Sequence, residues 1–244
     1  MGRMSETIKF LIVLNVLFFI GTLYIGDLSY KLFALYYFES PNFNLWQIVT
    51  HMFMHGGFYH ILFNMYALWA FGTPLEMRWG RGKFLFFYFS AGFGAALIHS
   101  LSNYYFVQEG VDALLAAGLN QEQIFNILNT GSYNKQMLSA VPMDTVQAAY
   151  NSFNTPAVGA SGAVYGVLVA FGLMFPNAEL MLIFFPVPIK AKYFIPGLIL
   201  IDLISGITGS PFGIAHWAHI GGALFGFIMA YYWKKNSFND HRWN

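Results

Sequence analysis

The chain is expected to fold as an all-α membrane protein: six transmembrane helices in one bundle, with an extracytoplasmic helical insertion between the third and fourth. Three observations carry this expectation. The 244 residues are 57% hydrophobic and only 9% charged, more apolar and far less charged than an ordinary soluble domain. The apolar residues gather into runs near the length that crosses a bilayer, roughly 20 residues. The cationic residues fall on alternate loops, the distribution that orients membrane helices.

The first run covers about 8–25 and follows Arg3 and Lys9. It is long for a secretory signal, and no small-x-small cleavage site follows, so it reads as a retained helix. Residues 26–57 form an outer loop rich in aromatics, with Pro41 and Trp46. The second run, about 58–75, ends at the tight turn "EMRWGRGK", and the third covers about 84–106. Over 107–156 the apolar pattern breaks. Glu109, Asp112, Glu122, Lys135 and Asp144 appear there, punctuated by Gly110, Gly118, Gly131 and Pro142. Between these breaks, "VDALLAAG", "QEQIFNIL" and "MDTVQAAY" read as short amphipathic helices. The fourth run is about 157–175. Residues 176–192 are apolar but too short to span before Lys190 and Lys192, and Pro186 and Pro188 oppose a continuous helix, so an interfacial segment is expected. The fifth run, about 193–208, is short and contains Pro196 and Asp202; the sixth covers about 213–233. With no internal repeat or low-complexity tract, residues 1–244 read as a single membrane domain.

With a cytoplasmic N-terminus, Lys31 and Lys135 are the only lysines or arginines outside; the opposite orientation reverses that split. Both termini are therefore expected in the cytoplasm, with the chain in the inner cell membrane. The formal net charge of +1 suggests no nucleic-acid surface. The absence of cysteine excludes disulfides, thiol catalysis and cysteine-based metal sites.

Polar side chains within spans are costly and are functional candidates. The second run carries His60 and Asn64 near its start, the fourth carries Ser161, and the sixth carries His216 and His219. All three runs head inward from the outer face, so His60, Ser161 and His219 are expected at similar depth, one to two turns below it. A serine hydroxyl needs a base in reach to act as a nucleophile, and His219 can serve. His60 and Asn64 lie one turn apart on one helix face; with the Ser161 N–H they can stabilise an oxyanion. Gly159 and Gly162 leave room for a carbonyl beside the backbone, and Tyr165, one turn beyond Ser161, can support the base.

Competing readings exist for each motif. A Gly-x-Ser-Gly in a membrane helix is commonly small-residue packing, and Gly222-x-x-x-Gly226 reads as packing of the sixth helix on the fourth. "GASGA" lacks the second glycine of a nucleophile elbow, and no strand precedes it. His51 and His55 have zinc-ligand spacing, but Met52 stands where a zinc protease needs glutamate; both read as loop-holding residues. Asp202 stands alone in the fifth run, and no acidic residue lies near His219 in sequence.

Taken in order, "HMFMHGGFYHILFN", "EMRWG", "GASG" with Tyr165, and "AHIGGALFG" resemble the rhomboid family of intramembrane serine proteases across about residues 45–230. The resemblance implies a six-helix bundle, a Ser161–His219 dyad, and an oxyanion site of Ser161, His60 and Asn64, with Gly159 and Tyr165 in support. It implies hydrolysis of single-pass membrane proteins within the lipid bilayer, with no metal and no cofactor. Two departures stand out. Trp46-Gln47 replaces the Trp-Arg of many bacterial members, and the 107–156 insertion is longer than in the simplest ones. Two alternatives accompany the protease reading: a non-catalytic rhomboid-like protein that binds transmembrane helices, and a metal-dependent protein using His51, His55 and Asp202.

Overall fold

The computed structural model describes residues 4–133, 141–182, 185–208 and 215–236. Arg3, Lys135, Arg242 and the start of the expected sixth run lie outside the described residues. The described chain is mostly helical. Helix α1 (Glu6–Ile25) occupies the first apolar run. Its start is tied to the "EMRWGRGK" turn by Ser5, whose Oγ donates to Glu76 Oε2 at 2.5 Å.

The segment after α1 carries α2 (Asp27–Phe33), α3 (Gln47–Thr50) and a 3-10 turn at His51–Phe53. Gln47 holds it together. Its side chain is 0% exposed, accepts from the N–H groups of Asn44 (3.1 Å) and Tyr36 (3.4 Å), and donates to the carbonyls of Asn42 (2.9 Å) and Lys31 (3.0 Å). Trp46 adds Nε1–H to the Leu32 carbonyl at 2.7 Å. The departure from Trp-Arg is thus a neutral side chain that satisfies four backbone groups. Gln47→Ala is expected to leave buried backbone groups unpaired at about 1–3 kcal/mol each, read as a lowered melting temperature. An unchanged melt would show that the loop does not depend on them.

Helix α4 (Phe58–Ala67), a π turn at Leu68–Gly72 and α5 (Thr73–Trp79) follow one another without a break. The π turn directs Phe71 edge-on to Phe171, with ring centroids 5.0 Å apart. Helix α6 (Arg81–Ala116) is 36 residues long, about 54 Å at 1.5 Å per residue, well beyond a hydrocarbon core. The helix therefore does not end where the apolar pattern breaks at 107, and "VDALLAAG" is its last part rather than a separate helix. The pattern changes because a new neighbour arrives. Val107, Gly110 and Leu114 turn to a second apolar core, formed with α7 (Gln121–Thr130) and α8 (Met143–Asn154). A capping box starts α7: Gln123 N–H donates to Asn120 Oδ1 at 2.9 Å, and Asn120 N–H to Gln123 Oε1 at 3.0 Å. Tyr37, between α2 and α3, joins this core, its ring 5.6 Å from Phe153.

Helix α9 (Ser161–Met174) follows. The expected interfacial segment contains two antiparallel strands, β1 (Glu179–Leu182) and β2 (Phe185–Lys190), pairing Glu179 with Lys190 and Leu180 with Ile189. Helix α10 (Ala191–Thr208) accommodates Pro196, and α11 (His216–Asn236) ends the described chain. By length and composition, α1, α6 and α10 are each able to cross a membrane; α9 is apolar but shorter.

Helix α11 packs on both α9 and α6. Glycine makes this possible. A Cβ on Gly222 would overlap the Gly162 carbonyl, and one on Gly226 would lie 2.5 Å from Gly166 Cα. A Cβ on Gly166 would in turn sit 2.6 Å from Ala91 Cβ of α6. Three helices therefore meet at backbone distance, the packing mode available where lipid removes the usual hydrophobic drive.

Candidate active site

Ser161 is the first residue of α9, so its N–H belongs to the first turn, where backbone donors lack intrahelical partners and the helix dipole favours negative charge. The approach to it is fixed by the segment between α1 and α4. Leu35 and Ala157 exchange backbone hydrogen bonds of 2.9 and 2.8 Å, and Gly159 N–H donates to the His51 carbonyl at 2.9 Å. Gly159 has φ +126°, a conformation that side-chain-bearing residues rarely adopt.

His60 of α4 lies across the bare face of Gly159. A Cβ there would fall 2.8 Å from His60 Nε2 and 3.4 Å from Ser161 Oγ. Both groups thus border the same small space, which only glycine leaves open. Gly56 N–H donates to His60 Nδ1 at 3.4 Å. In the neutral ring this places the proton on Nε2, the atom facing that space. Asn64, one turn further along α4, is 6% exposed, and its Nδ2 has no hydrogen-bond partner among the described residues. A buried amide donor without a partner is unusual and calls for an acceptor.

His219 lies on α11, one turn from its start. Its ring stacks on Tyr165 of α9, centroids 4.1 Å apart and planes within 9°. Position 162 faces the same helix: a Cβ on Gly162 would sit 3.5 Å from the Ala218 carbonyl oxygen. Ser161 and His219 therefore flank one seam between α9 and α11. Ser161 Oγ makes no hydrogen bond among the described residues; such pairs often tighten only when substrate is bound. A cavity of about 20 Å³ borders Ser161, with His51, His99 and Gly159 in its wall.

Asp202 is not the solitary residue its sequence position implies. It is 5% exposed, and three donors converge on it. His216 Nδ1–H reaches Oδ1 at 2.5 Å, His219 Nδ1–H reaches the same oxygen at 3.1 Å, and the Tyr165 hydroxyl donates to Oδ2. Sequence reading missed this because 17 residues separate Asp202 from His219. The available signals were an acid within an apolar helix and a second histidine three residues before His219, on the same helix face. Asp202, His216 and His219 also offer ligand-type atoms within 4.8 Å of one another, a donor set suited to a divalent cation. His51 and His55 do not belong to that group. His51 Nδ1–H donates to the Gln47 carbonyl at 2.8 Å, and His55 Nδ1 lies 3.3 Å from the Phe53 carbonyl.

A mostly helical protein whose α1, α6 and α10 are each long and apolar enough to cross a membrane belongs among the helical membrane proteins. More particularly, the chain belongs to the rhomboid family: the Rhomboid domain profile matches residues 42–236. It is similar to "Rhomboid protein 1, mitochondrial" of Saccharomyces cerevisiae, 26% identical over 195 residues, covering 77% of this chain and 42% of that protein. It is also similar to "Rhomboid protease AarA" of Providencia stuartii, 26% identical over 195 residues, covering 76% and 54%. The human "Presenilin-associated rhomboid-like protein, mitochondrial" is 28% identical over 189 residues, covering 75% and 38%. The matched region thus spans roughly half or less of each of these relatives.

Proposed function

We propose that the chain is an intramembrane serine endopeptidase that hydrolyses peptide bonds in or near transmembrane segments of single-pass membrane proteins. On this reading α1, α4–α5, α6, α9, α10 and α11 are the six spans, with both termini cytoplasmic. The element built by α6 beyond residue 107, α7 and α8 then sits on the outer face, from which Ser161 is reached. The observation that carries the proposal is the shared space at Gly159, bordered by Ser161 Oγ and by His60 Nε2, beside the seam that holds His219.

Ser161 Oγ attacks the carbonyl carbon of the scissile bond and passes its proton to His219 Nε2. The carbonyl oxygen becomes an oxyanion held by the Ser161 N–H, His60 Nε2–H and Asn64 Nδ2–H. Collapse expels the amine, which takes the proton from His219 Nε2 and leaves an acyl-serine. Water then attacks the ester with His219 as base, releasing the acid and restoring the serine. No step requires a metal. The alternative, a rhomboid-like protein that binds transmembrane helices without cutting them, gives no chemical role to the Ser161 Oγ and His60 Nε2 that border one space.

The test is cleavage of a single-pass substrate in vesicles containing the purified protein, with and without chelator. Cleavage that persists in chelator is expected, and loss in chelator with recovery on zinc would favour the cation at Asp202, His216 and His219. His60→Ala and Asn64→Ala should each lower kcat by about 10²- to 10³-fold with little change in KM, because these donors act on charge present only in the transition state. An effect confined to KM would remove them from the oxyanion site.

A further inference from the structure

We infer that Asp202 is the positioning residue for His219, the acid that holds the base of the Ser161–His219 pair in place. This rests on the reading of Ser161 as nucleophile and His219 as base. A carboxylate inside an apolar helix carries a large desolvation cost unless its lone pairs are engaged. Here Oδ1 takes two imidazole N–H groups and Oδ2 takes the Tyr165 hydroxyl. An ionised carboxylate only accepts. The proton of His219 therefore sits on Nδ1, and Nε2 is left as the bare base for the serine proton. The ring's orientation is set twice, by the Asp202 bond and by the parallel Tyr165 face. Tyr165 joins both supports, because its ring stacks on His219 while its hydroxyl holds the other oxygen of the acid.

The Asp202–His219 contact also answers a problem of charge. When His219 takes the serine proton it becomes a cation within the bundle. Asp202 lies against its Nδ1 and supplies the counter-charge, without needing to take the proton itself. The rival account is structural: Asp202 merely satisfies His216, whose contact is the shorter of the two at 2.5 Å against 3.1 Å. That account gives no role to the His219 bond. The two accounts separate in the protonation behaviour of His219.

The experiment compares wild type, Ser161→Ala, Asp202→Asn and Asp202→Glu in the same vesicles, reading kcat, KM and the thermal melt. Asp202→Asn should lower kcat by about 10²- to 10⁴-fold with KM nearly unchanged. Asp202→Glu should recover part of kcat. Nitrogen NMR of histidine-labelled wild type, with His219 assigned by its loss in His219→Ala, should show a protonated Nδ1 and a bare Nε2 at neutral pH; this holds whether or not the variants fold. An unchanged kcat in Asp202→Asn, a loss fully matched by a lowered melt, or a His219 protonated at Nε2 would each overturn this role for Asp202. Activity surviving in Ser161→Ala would instead overturn the serine protease reading, which separates the two failures.

Discussion

Alanine at Ser161 or at His219 is expected to abolish turnover, and the double variant to be scarcely worse than either. The reason is chemical. Without His219 the serine hydroxyl keeps its proton and is a poor nucleophile; without Ser161 the imidazole has no nucleophile to activate. Either loss removes the whole covalent route, so a combined loss on the order of 10⁶ is expected from each single variant. What remains comes from the oxyanion donors and from substrate placement. Rates for the single and double variants, measured with one substrate in vesicles, check this. Losses that multiply would mean that Ser161 and His219 act independently. Melting curves alongside separate chemistry from folding, since Tyr165 loses its stacking partner in His219→Ala.

The second large effect is structural and reaches the site indirectly. Gly222→Val is expected to disable the protein by forcing α11 away from α9. The obstacle to its Cβ is the Gly162 backbone carbonyl, which no rotamer change can move aside. Overpacking against side chains costs about 1–3 kcal/mol, and occasionally more; against backbone the upper part of that range or beyond is expected. The catalytic consequence is separate. Ser161 and His219 sit on the two helices being pushed apart, and a misplacement of about 1 Å can cost on the order of 10² in rate. Gly222→Ala should show a weaker form of both effects. A Gly222→Val protein with the wild-type melt and wild-type rate would mean that the close approach of α9 and α11 is not needed.

Much of this arrangement can be read from local sequence. The apolar runs mark α1, α4 to α5, α6 and α9, and the Gly/Pro punctuation marks α7 and α8, because each signal is carried by neighbouring residues. Gly159, Ser161 and Tyr165 fall within a few positions of one another, and His60 and Asn64 share a helix face by spacing alone. The rest depends on what packs against what. Helix α6 runs on to Ala116 because its outer part finds a new partner in α8, and hydropathy in a single segment carries no information about that partner. The β1–β2 pairing is a short-range alternative that the prolines permit but do not specify. Asp202 is the instructive case. Its neighbours in sequence are apolar, and its three donors come from α9 and α11, so its role emerges only when the helices are assembled. Gln47 is similar: a neutral residue in a loop reads as unremarkable until its four backbone partners are seen around it.

The central claim is that Ser161 is a hydroxyl made nucleophilic by its surroundings. It is tested most directly by treating the purified protein in vesicles with a serine-directed fluorophosphonate and locating the adduct by peptide mass spectrometry. The account predicts a single stoichiometric adduct on Ser161, absent in Ser161→Ala and strongly slowed in His219→Ala. A folded protein whose Ser161 stays unmodified, or one that labels as fast without His219 as with it, would contradict it.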